Sequence, residues 1–196
     1  MTKIKLCGLS RVADIEVANI LLPEFVGFIF YEKSKRYISP NDAAALKNIL
    51  DKKISAVGVF VNEKISAVAE IAKFLDLIQL HGDEDDNYIS ELQKITGKKI
   101  IKAFKIKTSD DLKIAKNSRA DFILLDGGAG TGETFNWQML NDFEREYFLA
   151  GGLTVENVSA AVQLLKPFAV DVSSGIETGG FKDAEKMRDF VNRIRQ

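Results

Sequence analysis

The sequence predicts an α/β protein that folds as one (β/α)8 barrel, the TIM-barrel architecture. Short runs of Val, Ile, Phe and Leu alternate with amphipathic stretches of helical period along the whole chain. Continuous apolar strands that alternate with helices indicate a parallel sheet covered by helices. About eight such units favour closure into a barrel, because the alternative, an open doubly wound sheet, normally has about five or six strands.

Each predicted strand is a short run rich in β-branched, aromatic or leucine residues. The strands span residues 4–7, 25–31, 54–61, 77–80, 99–104, 121–126, 147–150 and 168–173. The helices with the clearest start signals or apolar faces span residues 41–50, 65–74, 155–165 and 183–194, and the first of them is opened by Ser39 and Pro40. Each unit has only about 24 residues, near the lower end for this architecture. We therefore expect short loops and a single domain over residues 1–196.

The composition excludes several kinds of partner. Hydrophobic residues make up 46% of the chain, and no apolar run approaches the ~18 residues of a membrane span. The 27 basic and 28 acidic residues leave no overall field that would attract nucleic acid. One cysteine cannot form a disulfide framework, and no apolar signal region precedes the first strand. We expect a soluble, cytoplasmic protein with a small-molecule partner, no membrane contact and no nucleic acid.

Polar residues and glycines collect where the predicted strands end. In a barrel of this kind the chemistry takes place at the carboxyl ends of the strands, so these positions are the candidate site. They include Cys7, Gly8, Tyr31, Arg36, Asn62, His81, Lys105, Asp126, Gly151, Gly152, Asp171, Ser173, Ser174 and Gly175.

Two of these residues are candidates for proton transfer. Cys7 is the only cysteine and ends the first strand, which makes it a candidate base or nucleophile, although a free cysteine is usually a small buried hydrophobe. Asp126 ends the sixth strand behind three apolar residues, which predicts a carboxyl pKa raised toward neutrality and a role as proton donor. The alternative for Asp126 is a turn aspartate that bonds its own loop. The ends of strands one and six could face each other across the barrel, an arrangement that suits proton transfer on a sugar.

The loops after the seventh and eighth strands predict a phosphate site. Glycines and small hydroxyl residues there, followed by helix starts, leave backbone N–H groups free to converge on an anion. The candidates are Gly151, Gly152, Ser173, Ser174 and Gly175. The alternative is that the glycines only make tight turns, but two such loops on consecutive strands favour phosphate.

Arg36 and His81 are the remaining candidates for binding. Arg36 lies in a basic loop, where its guanidinium could clamp a planar carboxylate, although such loops are more often solvated surfaces. His81 is the only histidine, so a histidine-rich metal site cannot be built and we expect no metal or other cofactor. We expect His81 to line the pocket or to form hydrogen bonds there.

A glycine-rich segment at residues 127–134 has the glycine spacing of a P-loop. Glu133 stands where a P-loop needs lysine, and its carboxylate would repel the phosphate. We interpret the segment as a flexible loop beside the site. Trp137, which follows it, is expected to pack in the core near a helix start.

In their order along the chain, these elements resemble the phosphoribosylanthranilate isomerase family of tryptophan biosynthesis. The resemblance rests on KLCG at 5–8, GFIF at 27–30, SKRYISP at 34–40, VGVFVN at 57–62, QLHG at 79–82, LLD at 124–126, AGGL at 150–153 and DVSSG at 171–175. Two positions depart from the family pattern: Leu6 replaces the usual isoleucine, and Asn136 replaces a common aspartate. The family implies a (β/α)8 barrel that works as a monomer or homodimer.

The resemblance also implies a reaction, a cofactor-free Amadori rearrangement of a phosphorylated substrate. Asp126 would protonate the furanose oxygen and open the ring, and Cys7 would remove the proton from the ribose C2. Because an unperturbed thiol with a pKa of ~8.5 is mostly protonated at neutral pH, either the site or the substrate must favour its thiolate. Arg36 would hold the anthranilate carboxylate, and Asp171 would contact the ribose hydroxyls.

Two other classes of function remain open at this stage. A related phosphosugar isomerase or epimerase would keep the phosphate loops, but the metal-dependent epimerases need more histidines, and the aminoimidazole carboxamide ribotide isomerases have aspartate where this chain has Cys7. A catalytically silent barrel that binds a phosphorylated ligand would need neither Cys7 nor Asp126.

Overall fold

Eight parallel strands close into a barrel in this computed structural model, which describes residues 1–128, 137–140 and 143–195. Neighbouring strands pair in chain order, and the last pairs with the first, so the predicted (β/α)8 architecture is confirmed. The strands are β1 (Lys3–Cys7), β2 (Phe25–Ile29), β3 (Ser55–Phe60), β4 (Leu77–Leu80), β5 (Lys99–Lys105), β6 (Phe122–Asp126), β7 (Tyr147–Ala150) and β8 (Ala169–Val172).

Helices cover the outside of the barrel between the strands. They are α1 (Val12–Leu21), α2 (Pro40–Ile49), α3 (Ile65–Ile71), α4 (Asp86–Thr96), α5 (Ser109–Asn117), α6 (Val158–Leu165) and α7 (Ala184–Arg195), with 3-10 turns at Ala72–Phe74, Trp137–Leu140 and Ser174–Ile176. The α2 start follows the predicted signal, because the Ser39 hydroxyl accepts a hydrogen bond from the Asp42 N–H at 3.1 Å. None of the helices in the described ranges is long and apolar enough to cross a membrane.

Between β6 and β7 the described residues form only the 3-10 turn that starts at Trp137, whose side chain packs against the core as predicted. The predicted flexible loop at 127–134 and the departure at Asn136 lie outside the described residues, apart from Gly127 and Gly128.

A short hairpin follows β8 where the sequence analysis placed no strand. It pairs β9 (Glu177–Thr178) with β10 (Phe181–Lys182), and the turn consists of two glycines with φ of +60° and +85°. Positive φ at both central residues gives the turn whose twist matches that of the flanking strands, which is why glycine pairs favour it. The hairpin carries Glu177 and Lys182 to the mouth of the barrel.

Alternate residues along each strand face opposite sides of the barrel wall. On β5, Ile100 belongs to the large apolar layer under the helices, whereas Ile101 and Ala103 belong to the cluster inside the barrel. Rings of Phe25, Phe122, Phe148 and Phe168 pack inside its amino end with centroids 5.3–5.9 Å apart. Space for a ligand is therefore left at the carboxyl ends of the strands.

Candidate active site

A cavity of about 240 Å³ opens at the carboxyl ends of the strands. It brings together all the residues to which the sequence analysis gave a catalytic or binding role, except Gly175, whereas the candidates Gly8, Tyr31, Asn62 and Lys105 lie outside its lining. Its lining consists of Cys7, Ile29, Arg36, Val59, Gln79, His81, Asp126, Ala150, Gly151, Gly152, Leu153, Asp171, Val172, Ser173 and Ser174. The polar members converge from β1, β4, β6 and β8 and from the loops after β2, β7 and β8.

Gly175 lies beside this cavity rather than in its wall. A side chain at this position would collide with the carbonyl of Leu153, so the glycine lets the loop after β8 pack directly on the loop after β7. Its assignment to phosphate binding stays a prediction.

The backbone at the end of β7 also requires glycine. Gly151 has φ of +90°, and a Cβ there would lie 2.5 Å from the Asp126 Oδ1 atom. Gly152 has φ of +69°. Within the described ranges, the N–H groups of Gly152 and Ser174 donate to no other residue. Two donors from neighbouring loops are therefore available at the cavity wall.

Cys7 lies next to an ion pair formed by the fully buried Lys5 and by Asp171, which lines the cavity. Lys5 precedes it by two residues on β1 and faces the same side, and the Lys5 Nζ atom donates to Asp171 Oδ1 at 2.9 Å. The pairing of β1 with β8 sets Lys5 directly opposite Asp171. The Ser173 hydroxyl donates to the Cys7 carbonyl at 3.0 Å. The end of β1 that carries Cys7 is thus bonded to the end of β8 and the residue that follows it.

Burial raises the pKa of the Cys7 thiol, and the neighbouring Asp171 carboxylate adds to this effect. The Lys5 ammonium group lowers the same pKa without overcoming burial. Burial also disfavours the charge on Lys5, but Asp171 and Cys7 together outweigh it and the pKa of Lys5 is raised. The free protein therefore holds Cys7 as a thiol at neutral pH, and the site alone does not stabilise the thiolate.

Asp126 is bonded by its own loop and by the only histidine. The Gly128 N–H donates to Oδ1 at 2.8 Å, and His81 Nε2 lies 3.4 Å from Oδ2. The buried Gln79 amide donates from Nε2 to His81 Nδ1 at 2.9 Å. Because Nδ1 accepts, a neutral His81 carries its proton on Nε2, directed at Asp126.

The predicted rise in the Asp126 pKa is wrong for the free protein. Burial does raise the pKa of Asp126. Hydrogen bonds from His81 and the Gly128 N–H, together with the charge of Lys105, lower it by more, so the pKa lies below its usual range. The apolar residues before Asp126 face the core, whereas the carboxylate reaches polar donors that come from other parts of the chain. At neutral pH Asp126 is ionised.

Arg36 is held at the cavity by an acidic partner from the hairpin. Its Nε and Nη2 atoms donate to the two Glu177 carboxylate oxygens at 2.6 and 2.7 Å. Lys182 donates to Glu177 at 2.6 Å and to the Ser173 carbonyl at 2.9 Å. These cations hold the pKa of Glu177 below its usual range in spite of burial. The pair fixes the guanidinium beside the cavity.

The sequence analysis missed Lys5, Glu177 and Lys182 as members of this site, and it placed Gln79 at the end of its strand without giving it a role. Two signals were available. Lys5 and Cys7 share strand parity, and residues 177–182 have a two-glycine turn typical of a hairpin. Gln79 shares parity with His81 in the same way.

A second cavity of about 590 Å³ adjoins the first at His81. Its wall lies over β3, β4 and β5 and includes Asn62, Glu84, Lys102 and Lys105. Among the residues to which the sequence analysis gave a catalytic or binding role, it contains only His81, so the smaller cavity is the candidate active site.

Comparison with known proteins identifies close relatives. The family model described as N-(5'-phosphoribosyl)anthranilate (PRA) isomerase matches residues 4–193. N-(5'-phosphoribosyl)anthranilate isomerase of Thermoanaerobacter sp. (strain X514) is 45% identical over 100% of this chain and 98% of its own length.

Solved structures give the same result. A phosphoribosyl anthranilate isomerase in complex with reduced 1-(o-carboxyphenylamino)-1-deoxyribulose 5-phosphate has a TM-score of 0.90 and 36% identity, over 100% of this chain and 99% of that one. A structure of monomers generated from the dimeric Thermotoga maritima phosphoribosylanthranilate isomerase has a TM-score of 0.89 and 36% identity, over 100% of this chain and 99% of that one.

Proposed function

Because this chain belongs to the N-(5'-phosphoribosyl)anthranilate isomerase family, we propose that it converts N-(5'-phosphoribosyl)anthranilate into 1-(2-carboxyphenylamino)-1-deoxyribulose 5-phosphate, a step of tryptophan biosynthesis. The observation that carries the proposal is the convergence of Cys7 and Asp126 in one cavity with the glycine and serine loops after β7 and β8. A proton donor, a proton acceptor and an anion site are what this rearrangement requires.

The reaction begins at the furanose ring oxygen. Asp126 donates a proton to this oxygen, the bond between C1 and the oxygen breaks, and the nitrogen lone pair forms a C1=N iminium. The ring oxygen becomes a hydroxyl group on C4. The Nε2 atom of His81 lies 3.4 Å from Oδ2 of Asp126, and this contact orients the carboxyl group.

The second proton transfer occurs at C2 of the ribose. Cys7 removes the C2 proton, the electrons of this bond form a C1=C2 double bond, and the electrons of the C1=N double bond return to nitrogen, which gives a neutral enolamine. Proton return to C1 and loss of the proton from the C2 hydroxyl give the ketone. Asp171, paired with Lys5, contacts the ribose hydroxyls from the neighbouring strand.

Productive protonation needs one proton to move from Cys7 to Asp126, with no change in the total number of protons. Bound substrate favours the protonated Asp126, because the anionic phosphate and carboxylate of the substrate raise the pKa of Asp126. The iminium cation, which forms once Asp126 has donated its proton, then lowers the pKa of Cys7 for the second step. The substrate therefore supplies the help that the thiol needs.

Arg36 is proposed to bind the anthranilate carboxylate with the N–H groups that Glu177 leaves free. Arg36→Ala should lower kcat/KM by the equivalent of about 1.5–3 kcal/mol, the range for a hydrogen bond to a charged group, chiefly through a higher KM. Steady-state kinetics check this, with Lys35→Ala, an exposed neighbour, as the matched control. If the two variants behave alike, Arg36 is only a structural partner of Glu177.

The phosphate is proposed to bind at the loops after β7 and β8. In crystals soaked with sulfate or phosphate, the anion should lie against the N–H groups of Gly152 and Ser174, because both lack another acceptor among the described residues. Ser174→Ala keeps the N–H group and should keep the anion. An anion bound elsewhere at high sulfate, with these loops empty, would contradict the assignment.

The overall activity is tested by the fluorescence of phosphoribosylanthranilate, whose loss should be accelerated by the protein and not by buffer alone. The monomeric and dimeric forms of its relatives leave both states possible for this chain, and we propose one domain in either state. A reducing compartment such as the cytoplasm suits a base that must stay a free thiol.

A further inference from the structure

Lys5 is a buried charge for which the reaction steps above assign no direct task. Its side chain is completely buried inside the barrel, where an ammonium group is costly unless it is paired. Asp171 pairs with it at 2.9 Å. An apolar pair could fill the same space at no electrostatic cost, so the retained charge calls for a functional explanation.

The position of Lys5 relative to Cys7 supplies one. Both groups lie over Gly27 on β2, because a Cβ on this glycine would be 2.6 Å from Cys7 Sγ and 3.2 Å from Lys5 Nζ. The sulfur and the ammonium nitrogen are therefore within about 6 Å of each other, the range in which an opposite charge stabilises an ionised group. Any side chain at position 27 would separate or displace them.

We propose that Lys5 is a positioning residue whose ammonium group stabilises the thiolate of Cys7, with Asp171 moderating its effect. The inference rests on the proposed role of Cys7 as the base. Lys5 touches no reacting atom in this scheme, and it acts on the reaction only through the sulfur.

Other charged groups also face Cys7. Asp171 on β8 opposes the thiolate, and Lys182 on β10 favours it more weakly than Lys5 does. Arg36 from the loop after β2 is a further cation in the field of the sulfur. Among these groups Lys5 has the strongest favourable effect on the charged sulfur.

His81 and Asp126 line the same cavity from β4 and β6. Neither strand neighbours β1 in the barrel, and neither residue is among the main causes of the shift in the pKa of Cys7. The charges that matter for the titration of Cys7 therefore lie on β1, β8, β10 and the loop after β2.

The experiment titrates Cys7 directly in the free protein. Because Cys7 is the only cysteine, protein labelled with ¹³C at the cysteine Cβ gives one NMR signal whose position follows deprotonation of the thiol. In Lys5→Met the midpoint should rise by about 1–3 pH units, and in Lys5→Arg it should stay near the wild-type value. Asp171→Asn should move the midpoint in the opposite direction, to lower pH.

Two further variants keep the result interpretable. Lys102→Met removes another buried lysine, paired with Glu84 on the far side of the barrel, and should leave the midpoint unchanged. If Lys5→Met does not fold, Lys5→Met/Asp171→Asn avoids an unpaired buried charge and should still raise the midpoint, by less. If Lys5→Met, or the double variant in its place, folds and its thiol titrates at the wild-type midpoint, the proposal is overturned.

Enzyme kinetics separate this inference from the proposed function. Lys5→Met should lower kcat and move the alkaline limb of the kcat/KM profile together with the thiol midpoint of the free protein, whereas a merely structural lysine would lower kcat/KM at all pH values equally. If the wild-type protein did not accelerate the loss of phosphoribosylanthranilate, the proposed function would fail while the titration result stood. If Cys7→Ala were fully active, the role of Cys7 as the base would fail. If Cys7→Ala were inactive and the thiol of Lys5→Met titrated normally, only the role of Lys5 would fail.

Discussion

Asp126→Asn is expected to lower kcat by about 10²–10⁴-fold, the usual loss when a general acid is removed. An asparagine has nearly the shape of aspartate and can still accept the hydrogen bond from the Gly128 N–H. The first residues of the loop after β6 should therefore keep their conformation. The asparagine has no proton to give to the furanose oxygen. The loss should therefore appear in kcat, measured by substrate fluorescence, with little change in phosphate affinity.

The matched control for this variant is Asp121→Asn, which lies just before the same strand at the other end of the barrel. The Asp121 carboxylate accepts hydrogen bonds from the Gln93 amide and from the Ile100 N–H, at 2.9 and 2.8 Å, away from the cavity. Its loss can reduce stability but should leave kcat near the wild-type value. An Asp126→Asn protein with full activity would reject Asp126 as the acid and direct attention to His81.

Cys7→Ala should lower kcat by a similar factor, about 10²–10⁴-fold, because no other group is assigned to take the C2 proton. Cys7→Ser should lose nearly as much, since a hydroxyl group is a far weaker base than a thiolate at neutral pH. Both side chains are smaller than or similar to that of cysteine, so the buried position should accept them. Full activity in Cys7→Ala would exclude the thiol and leave Asp171 as the next candidate base.

The pH profile of kcat/KM identifies which group titrates on each side. In the free enzyme the pKa of Asp126 is lowered and that of Cys7 is raised, so the form between these pKa values has an ionised Asp126 and a protonated Cys7. The productive form has the same number of protons. Activity should therefore rise with pH as the first proton leaves Asp126 and fall at alkaline pH as the second leaves Cys7.

This assignment reverses the usual one, in which the base controls the rising limb. The alkaline limb should disappear in Cys7→Ser, and the acid limb should depend on Asp126. The substrate phosphate, with a pKa of about 6, adds a limb of its own. Because this limb is the same in the wild-type protein and in all variants, it can be assigned to the substrate. A rising limb above neutral pH that vanishes in Cys7→Ser would contradict the directions found here.

Much of the fold could be predicted from the sequence because it depends on local patterns. Strands β4 and β7 begin and end where the apolar runs do, since turn residues bound each run. The prediction placed the start of α6 three residues early, because the chain first passes through a turn in which the Thr154 N–H donates to the Asn157 side chain. The hairpin was missed because two-residue strands contain too few side chains to form a pattern.

Much of the site could be predicted for a related reason. In a parallel barrel every strand ends at the same rim, so the residue that ends each strand is a candidate wherever it lies in the chain. This rule located Cys7, His81, Asp126, Asp171 and the glycines after β7. The strand-end rule could not predict which candidates are ionised at neutral pH, because it says nothing about the residues around them in space.

The sequence by itself therefore determined the barrel, the rim and the candidate groups, since apolar period and strand ends are properties of consecutive residues. Only the tertiary structure decided the partners. Lys5 meets Asp171 because the barrel closes between β1 and β8, and Arg36 meets Glu177 across 141 positions of the chain. The pKa of Asp126 is lowered rather than raised for the same reason. The electrostatic field at an atom depends on distances in space, and the closed sheet sets those distances.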